Sequence, residues 1–273
     1  VSHARNLGVS KADAEWISFL DADDYLLESA VSEMKKFSTV KEDVVIFNYK
    51  RGSNKAEFNE EKKSITNSEA INILLDFAGY RMLLPTGMGE KYSVFTSCWA
   101  KMYRKSVIDT NEIQFQESLT LSEDMCFNLM YFKKIQNVLI VNKEVYNYSD
   151  NPESVTHSFS EKKFLGRKEL IVYLDGVHDI PNECESAKQK YIVLTAIQLA
   201  DKIAATKNKK LRKAYISFLE MEYVQKGILN KVDGCLSIGK KQNAYLNFQY
   251  WLLRHKLYGV MLPVGYIYAQ TRG

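Results

Sequence analysis

Cysteine is scarce in this sequence: Cys98, Cys126, Cys184 and Cys235 are the four in 273 residues. No two form a CxxC pair, and their spacing fits no zinc motif. A reduced, intracellular chain is the plain expectation. A signal-peptide pattern is also lacking. No apolar run approaches the roughly 20 residues of a spanning helix. The longest uncharged stretch, residues 257–271, has 15 residues and is broken by Pro263 and Gly265. There is no internal repeat, no low-complexity segment and no evident Ser-His-Asp or Cys-His set for covalent catalysis.

What is present suits a globular protein. Hydrophobic residues make up 46% and charged residues 26%, an ordinary balance. The length allows one large domain or two small ones with a full core. Aromatic content of 12%, with 17 Tyr, permits sugar-stacking surfaces without requiring them. The net charge of +4 is unevenly spread. Residues 1–160 hold 18 Lys and Arg against 23 Asp and Glu, a balance of −5; residues 161–273 hold 19 against 10, a balance of +9. Strand-like runs largely stop at the same place. The expected division is therefore 1–160, an α/β domain, and 161–273, a helical region. Its basic excess suits an anionic partner, or equally a solvated face.

Residues 2–14 read as a helix. Trp16, Ile17, Phe19 and Leu20 form a short apolar run suited to a buried strand of a parallel sheet. A helix is expected from Tyr25, a strand over 43–49, and a loop or ragged hairpin over 51–64. A helix follows at 67–79, then a loop over 79–93. Residues 94–108 read as a strand leading into a helix. Ser122 is expected to cap a helix over 122–135, ahead of a strand at 137–148. Residues 151–158 read as a turn-rich exit. Helical patterns then cover roughly 162–176, 183–206, 209–230 and 241–258. The last, with the apolar residues after it, reads as an interfacial amphipathic helix or as a core helix of the bundle.

The segment FLDADD, residues 19–24, is the sharpest chemical feature. A buried strand that ends on Asp21, Asp23 and Asp24 gathers like charges that a cation would relieve. Strand alternation points Asp21 and Asp23 the same way, and strand C-termini are where open α/β sheets bind ligands. Hard oxygen ligands suit Mn²⁺ or Mg²⁺ bridged to phosphate. Asp24 is then free to cap the following helix. A calcium hand fails, because the loop positions that need Gly and Glu are Leu26 and Ser32. A haloacid-dehalogenase-type phosphatase survives weakly, since Tyr25 stands where Thr or Val is usual.

Glu123 and Asp124 open the helix after Ser122. A carboxylate there complements the helix dipole, and serves as a general base only if its pKa is moved toward neutrality. Trp99 to Arg104, WAKMYR, could hold a sugar and a phosphate, or could be an ordinary strand-to-helix junction.

These pieces stand in an order that resembles glycosyltransferase family 2. ARNLGVSKADAEWISFLDADDYL resembles its A-R-N-x-G helix and F-L-D-x-D-D strand. TSCWAKMYRKSVI resembles W-x-K-x-Y-R, SEDMCFNLMYF supplies the acidic pair, and YNYSDNPESVT resembles Y-x-Y followed by P-x-S-V-T. The likeness spans roughly residues 1–157. It implies an inverting enzyme with a GT-A fold, a mostly parallel sheet flanked by helices and followed by a helical C-terminal region. It implies Asp23 as metal ligand, with Asp21 beside the ribose and metal. Asp124 would be the catalytic base, flanked by Glu123. Trp99 and Lys101 would line the acceptor side, and Arg5 would face the nucleotide. Members begin with an S-V-I-I-P-x-Y-N strand that this sequence lacks, so further N-terminal residues are expected in the gene product.

The resemblance implies transfer from a nucleotide-sugar, UDP-linked being the commonest, to a glycan or lipid-linked acceptor of surface polysaccharide. The expected place is the cytoplasm, at the inner face of the membrane, with the basic helical region on anionic lipid or near the acceptor's pyrophosphate. A truncated, non-catalytic binding or scaffold module is the competing reading. Nucleic acid is not an expected partner, because the cations are scattered over helices with no aromatic-basic ribbon.

Overall fold

The computed structural model describes residues 1–52, 54–55, 60–80, 88–149, 160–204, 206, 208–228 and 240–270. The chain divides into two compact units, Val1–Leu74 with Thr86–His157, and Leu75–Pro85 with Ser158–Gly273. The expected exit turn at 151–158 lies outside the described residues.

The first unit opens with α1 (Ser2–Lys11), β1 (Trp16–Ile17), β2 (Tyr25–Leu26) and α2 (Ala30–Lys35). It continues through β3 (Val44–Arg51), β4 (Asn54–Lys55), β5 (Lys62–Thr66) and the start of α3 (Asn67–Tyr80). It closes with α4 (Met88–Thr96), β6 (Lys101–Arg104), α5 (Lys105–Thr110), α6 (Glu123–Phe132) and β7 (Asn137–Tyr148). These strands form one sheet in the order β1-β6-β3-β7-β2. β4 is added to β3, and β5 to the first half of β7.

The fold is α/β with helices around a mixed sheet. Strand direction departs from the mostly parallel expectation. Among the named strands only β3 and β7 run parallel, while the remaining pairs are antiparallel. Short returns such as β3 to β4 can only make antiparallel neighbours, whereas β3 reaches β7 through several helices, the long crossover that parallel pairing needs. β3 carries VVIFNY, buried from Val44 to Tyr49, as a central strand covered on both faces should be.

Two local expectations change. Tyr25 and Leu26 pair with β7, and the next helix starts only at Ala30, after Ser29. Residues 94–96, read as strand from their β-branched and aromatic side chains, are the last turn of α4. The segment 79–93 is helical from Met88 onward, and residues 81–87 lie outside the described residues.

A ring cluster anchors the FLDADD segment. Phe19 meets Tyr103, Phe115 and Phe127 edge-on at centroid distances of 5.7, 5.2 and 5.7 Å. Phe115 and Phe127 stack at 4.1 Å. A parallel bridge joins Phe19 to Trp99. Packing half-buried Phe19 in this cluster leaves the next acidic residues at the rim.

The second unit contains α7 (Glu161–Asp175), α8 (Asn182–Ala204), α9 (Lys209–Leu219), α10 (Glu222–Ile228), α11 (Lys240–Arg254) and α12 (Tyr258–Gln270). α8 is buried along most of its length, and the other helices surround it. The pattern at 209–230 proves to be two helices, broken at Glu220 and Met221. The single helix expected from 241 through the apolar residues to Pro263 proves to be two, α11 and α12, separated at Lys256, and α12 runs on through Pro263.

Candidate active site

Arg5 stands at the centre of the site. Its guanidinium donates to Asp21 Oδ1 at 2.7 Å, to Glu123 Oε1 at 3.5 Å, and in a short contact to Asp124 Oδ1. The same group lies over the Phe115 ring, 5.2 Å from its centroid. Burial works against the Arg5 charge, but Asp124 and Asp21 outweigh it and hold its pKa above the ordinary value. The neighbouring Asn6 fixes the helix that carries it. Its amide donates to the Phe115 carbonyl at 2.9 Å and accepts from the Phe115 N–H at 2.8 Å. One helix therefore draws together a strand end and a helix start more than a hundred residues apart in sequence.

Asp124 is bound through both oxygens. Oδ2 accepts the Cys98 backbone N–H at 3.1 Å. Burial pushes its carboxyl up, Arg5 pulls it down, and the charges of Glu123 and Asp21 push it up again. The net position is about 6. Ser122 holds the expected cap position in a left-handed conformation (φ 61°), but its side chain makes no capping hydrogen bond.

Asp21 and Asp24 share a tyrosine. The Tyr146 hydroxyl accepts the Asp21 N–H at 3.2 Å and donates to Asp24 Oδ2 at 2.6 Å, and the Ser149 N–H donates to Asp24 Oδ1 at 2.8 Å. Asp24 therefore ties β2 to the end of β7 and caps no helix. Burial raises its pKa, against these two hydrogen bonds. Asp23 is exposed beside half-buried Asp21.

Two expected acceptor residues are placed elsewhere. Lys101 is 0% exposed, and its ammonium is bound to the carbonyls of Val94 and Ser97 at the end of α4. Burial lowers its pKa to about 8. Lys101 thus shapes the turn that presents the Cys98 N–H and offers no surface to an acceptor. Trp99 is also buried, stacked on Tyr146 at 5.0 Å and edge-on to Tyr49 at 4.6 Å. It supports Tyr146 instead of forming an open platform.

Residues 1–112 match the family model described as glycosyl transferase family 2. Over that stretch the chain is similar to family 2 glycosyltransferases. Similar curated proteins include the glycosyltransferase EpsJ of Bacillus subtilis, 25% identical over 57% of this chain and 44% of that one. The poly(ribitol-phosphate) β-N-acetylglucosaminyltransferase TarP of Staphylococcus aureus is 29% identical over 56% and 43%. A cholesterol galactosyltransferase of Borreliella burgdorferi is 26% identical over 71% and 54%. The chain thus spans about half the length, or less, of these relatives. Among solved structures, S. aureus TarS with UDP-GlcNAc superposes with a TM-score of 0.64 at 16% identity, covering 99% of this chain and 72% of that one. At that identity the likeness establishes the GT-A-like fold with its helical C-terminal region.

Among the described residues no group of three or more His, Cys, Asp or Glu is gathered for a metal. Asp21 and Asp23 stand at the rim in the turn between β1 and β2, and not on a strand as expected. That donor set fits a divalent ion that takes its remaining ligands from phosphate oxygens and water. Asn6, Cys98, Phe115 and Tyr146 are the site residues that sequence reasoning missed. Asn6 and Tyr146 lie inside the A-R-N-x-G and Y-x-Y motifs, which were the available signal.

Proposed function

We propose that this chain is the catalytic part of an inverting, metal-dependent glycosyltransferase. It would move a sugar from a nucleotide-sugar, UDP-linked by preference, to a glycan or lipid-linked acceptor in surface polysaccharide synthesis. The observation that carries the reading is the Arg5 bridge between Asp21 and Asp124. It sets the carboxylates of a donor-phosphate site beside a carboxylate suited to proton abstraction.

In this reading Asp23, with Asp21, holds Mn²⁺ or Mg²⁺. Arg5 already occupies one oxygen of Asp21, so exposed Asp23 is the principal ligand. The ion would neutralise charge on the departing nucleotide diphosphate. Asp124 takes the proton of the acceptor hydroxyl as that oxygen bonds to the anomeric carbon. The bond from that carbon to the diphosphate breaks on the opposite face, so one displacement inverts the configuration. A base titrating near 6 is ionised at neutral pH and still basic enough to assist. Burial, with the charges of Glu123 and Asp21, keeps it there, and the Cys98 N–H fixes its direction.

The matched relatives include enzymes named for poly(ribitol-phosphate) and for cholesterol, which supports a polymer or lipid acceptor at the level of class. Calorimetry with UDP-, GDP- and dTDP-sugars, with and without Mn²⁺, tests the donor half. The expected result is metal-dependent binding of one donor, lost in Asp23→Ala. Binding that ignores both the metal and Asp23 would remove the assigned ligand.

A further inference from the structure

The end of the second unit has a charge and surface pattern that the catalytic reading leaves unused. After Asp233 the sequence contains no Asp or Glu, yet it carries Lys240, Lys241, Arg254, Lys256 and Arg272. Most of this stretch is the helical pair α11 and α12, separated by Lys256 at a positive φ of 56°. The inward faces of both helices are spent on the core, through Tyr245, Leu246, Leu252, Leu253, Met261 and Leu262.

The outward faces carry large apolar side chains, on α11 among exposed Asn243, Asn247 and the cations, and on α12 as Val260, Tyr266 and Ile267. Phe248 is 46% exposed and Trp251 48% exposed on α11, and Ile267 is 62% exposed on α12. Phe248 and Trp251 lie one turn apart with nearly parallel rings, at an interplanar angle of 7°. Exposed cations stand at both ends of the same helix, Lys240 and Lys241 at its start and Arg254 at its finish. Neither helix is long and apolar enough to cross a membrane.

We infer that the α11–α12 pair is a docking surface for an anionic bilayer, lying in the headgroup layer with Phe248, Trp251 and Ile267 inserted. Aromatic side chains sit well at that depth, and each nearby cation adds attraction to acidic lipid. Charge complementarity selects a bilayer of acidic lipid, and exposed aliphatic and aromatic groups select a bilayer over a soluble polyanion. A second copy of the chain fits less well, because two such faces would set like charges against each other. The inference is independent of sugar transfer, since the surface is built without any residue of the Arg5 site.

The test is flotation of the full chain with vesicles of phosphatidylcholine alone or mixed with phosphatidylglycerol. Strong binding to the mixed vesicles, weak binding to neutral ones and release by salt are expected. Each of Lys240→Gln, Lys241→Gln and Arg254→Gln should weaken partitioning about fivefold. The pair Phe248→Ser and Trp251→Ser should reduce it further, with helical circular dichroism unchanged. Equal binding to neutral and acidic vesicles, or binding indifferent to the loss of both rings, would overturn the proposal. So would a dimer in sedimentation that disappears in Phe248→Ser/Trp251→Ser, which would assign the face to a second copy.

Discussion

Arg5 is surrounded by three carboxylates, and burial together with the balance among these charges sets how Asp124 titrates. The Asp124 base must be ionised to accept a proton, so kcat/KM should fall about tenfold per pH unit below about 6. Arg5 lowers this pKa, and Glu123 raises it. Arg5→Gln should therefore move the acid limb to higher pH, and Glu123→Gln should move it to lower pH. Asp124→Asn should remove the limb and cost about 10²–10⁴-fold in rate. A pH–rate series on the three variants checks the signs. An acid limb that survives in Asp124→Asn would assign it to another group. Most of these residues are legible in the sequence as motifs: Arg5, Asp21, Asp23, Glu123 and Asp124. Their bridging is not legible, because nothing in spacing says that one guanidinium reaches across 119 positions. Lys101 misleads for a related reason. An isolated lysine looks solvent-facing, and only the packed carbonyls of Val94 and Ser97 explain its burial.

At the scale of elements, buried polar groups and close approaches decide what can change. Lys101 neutralises at about 8 in the fold against 10.5 in an ordinary lysine. Across that window the unfolded chain keeps a proton that the folded chain has released, so folding stability rises with pH. This rise should disappear in Lys101→Met, which should also lose about 1–3 kcal/mol because the Val94 carbonyl is left without its donor. Urea unfolding at several pH values would show both effects. Gly265 on α12 faces α8 so closely that an added Cβ would come within 2.6 Å of Asp201 Oδ1 and 3.1 Å of its backbone nitrogen. Asp201 is already bound by Tyr245 from α11. Gly265→Ala should thus force the helices apart and cost about 1–3 kcal/mol, seen as a lower thermal midpoint, whereas exposed Gly259→Ala, with nothing within 4 Å, should not. The helical patterns at 67–79, 122–135, 162–176 and 183–206 correspond to α3, α6, α7 and α8. The pattern from 241 to Pro263 does not separate α11 from α12, nor does it show that α12 continues past Pro263, where Gly265 packs closely on Asp201. The sequence pattern also misses β2, just before which Asp24 binds Tyr146 and Ser149 in place of a helix start.

On the scale of the whole molecule, an acidic α/β unit with the Arg5 site is joined in sequence to a basic helical unit. Composition changes near residue 160, where sheet gives way to helices, but nothing in it marks Leu75–Pro85, which falls in the second unit. Strand direction is not legible, since a buried antiparallel strand and a buried parallel one carry the same apolar run. The two units invite separate assays, vesicle binding for the helices and sugar transfer for the sheet.

The most direct test of the central claim is nucleotide release by the full chain, with a panel of UDP-, GDP- and dTDP-sugars and Mn²⁺, compared across wild type, Asp23→Ala and Asp124→Asn. The account predicts turnover of one donor, lost by about two orders of magnitude or more in both variants, with Asp124→Asn still binding donor. Donor binding without release in the wild type, or release unaffected by either substitution, would contradict it.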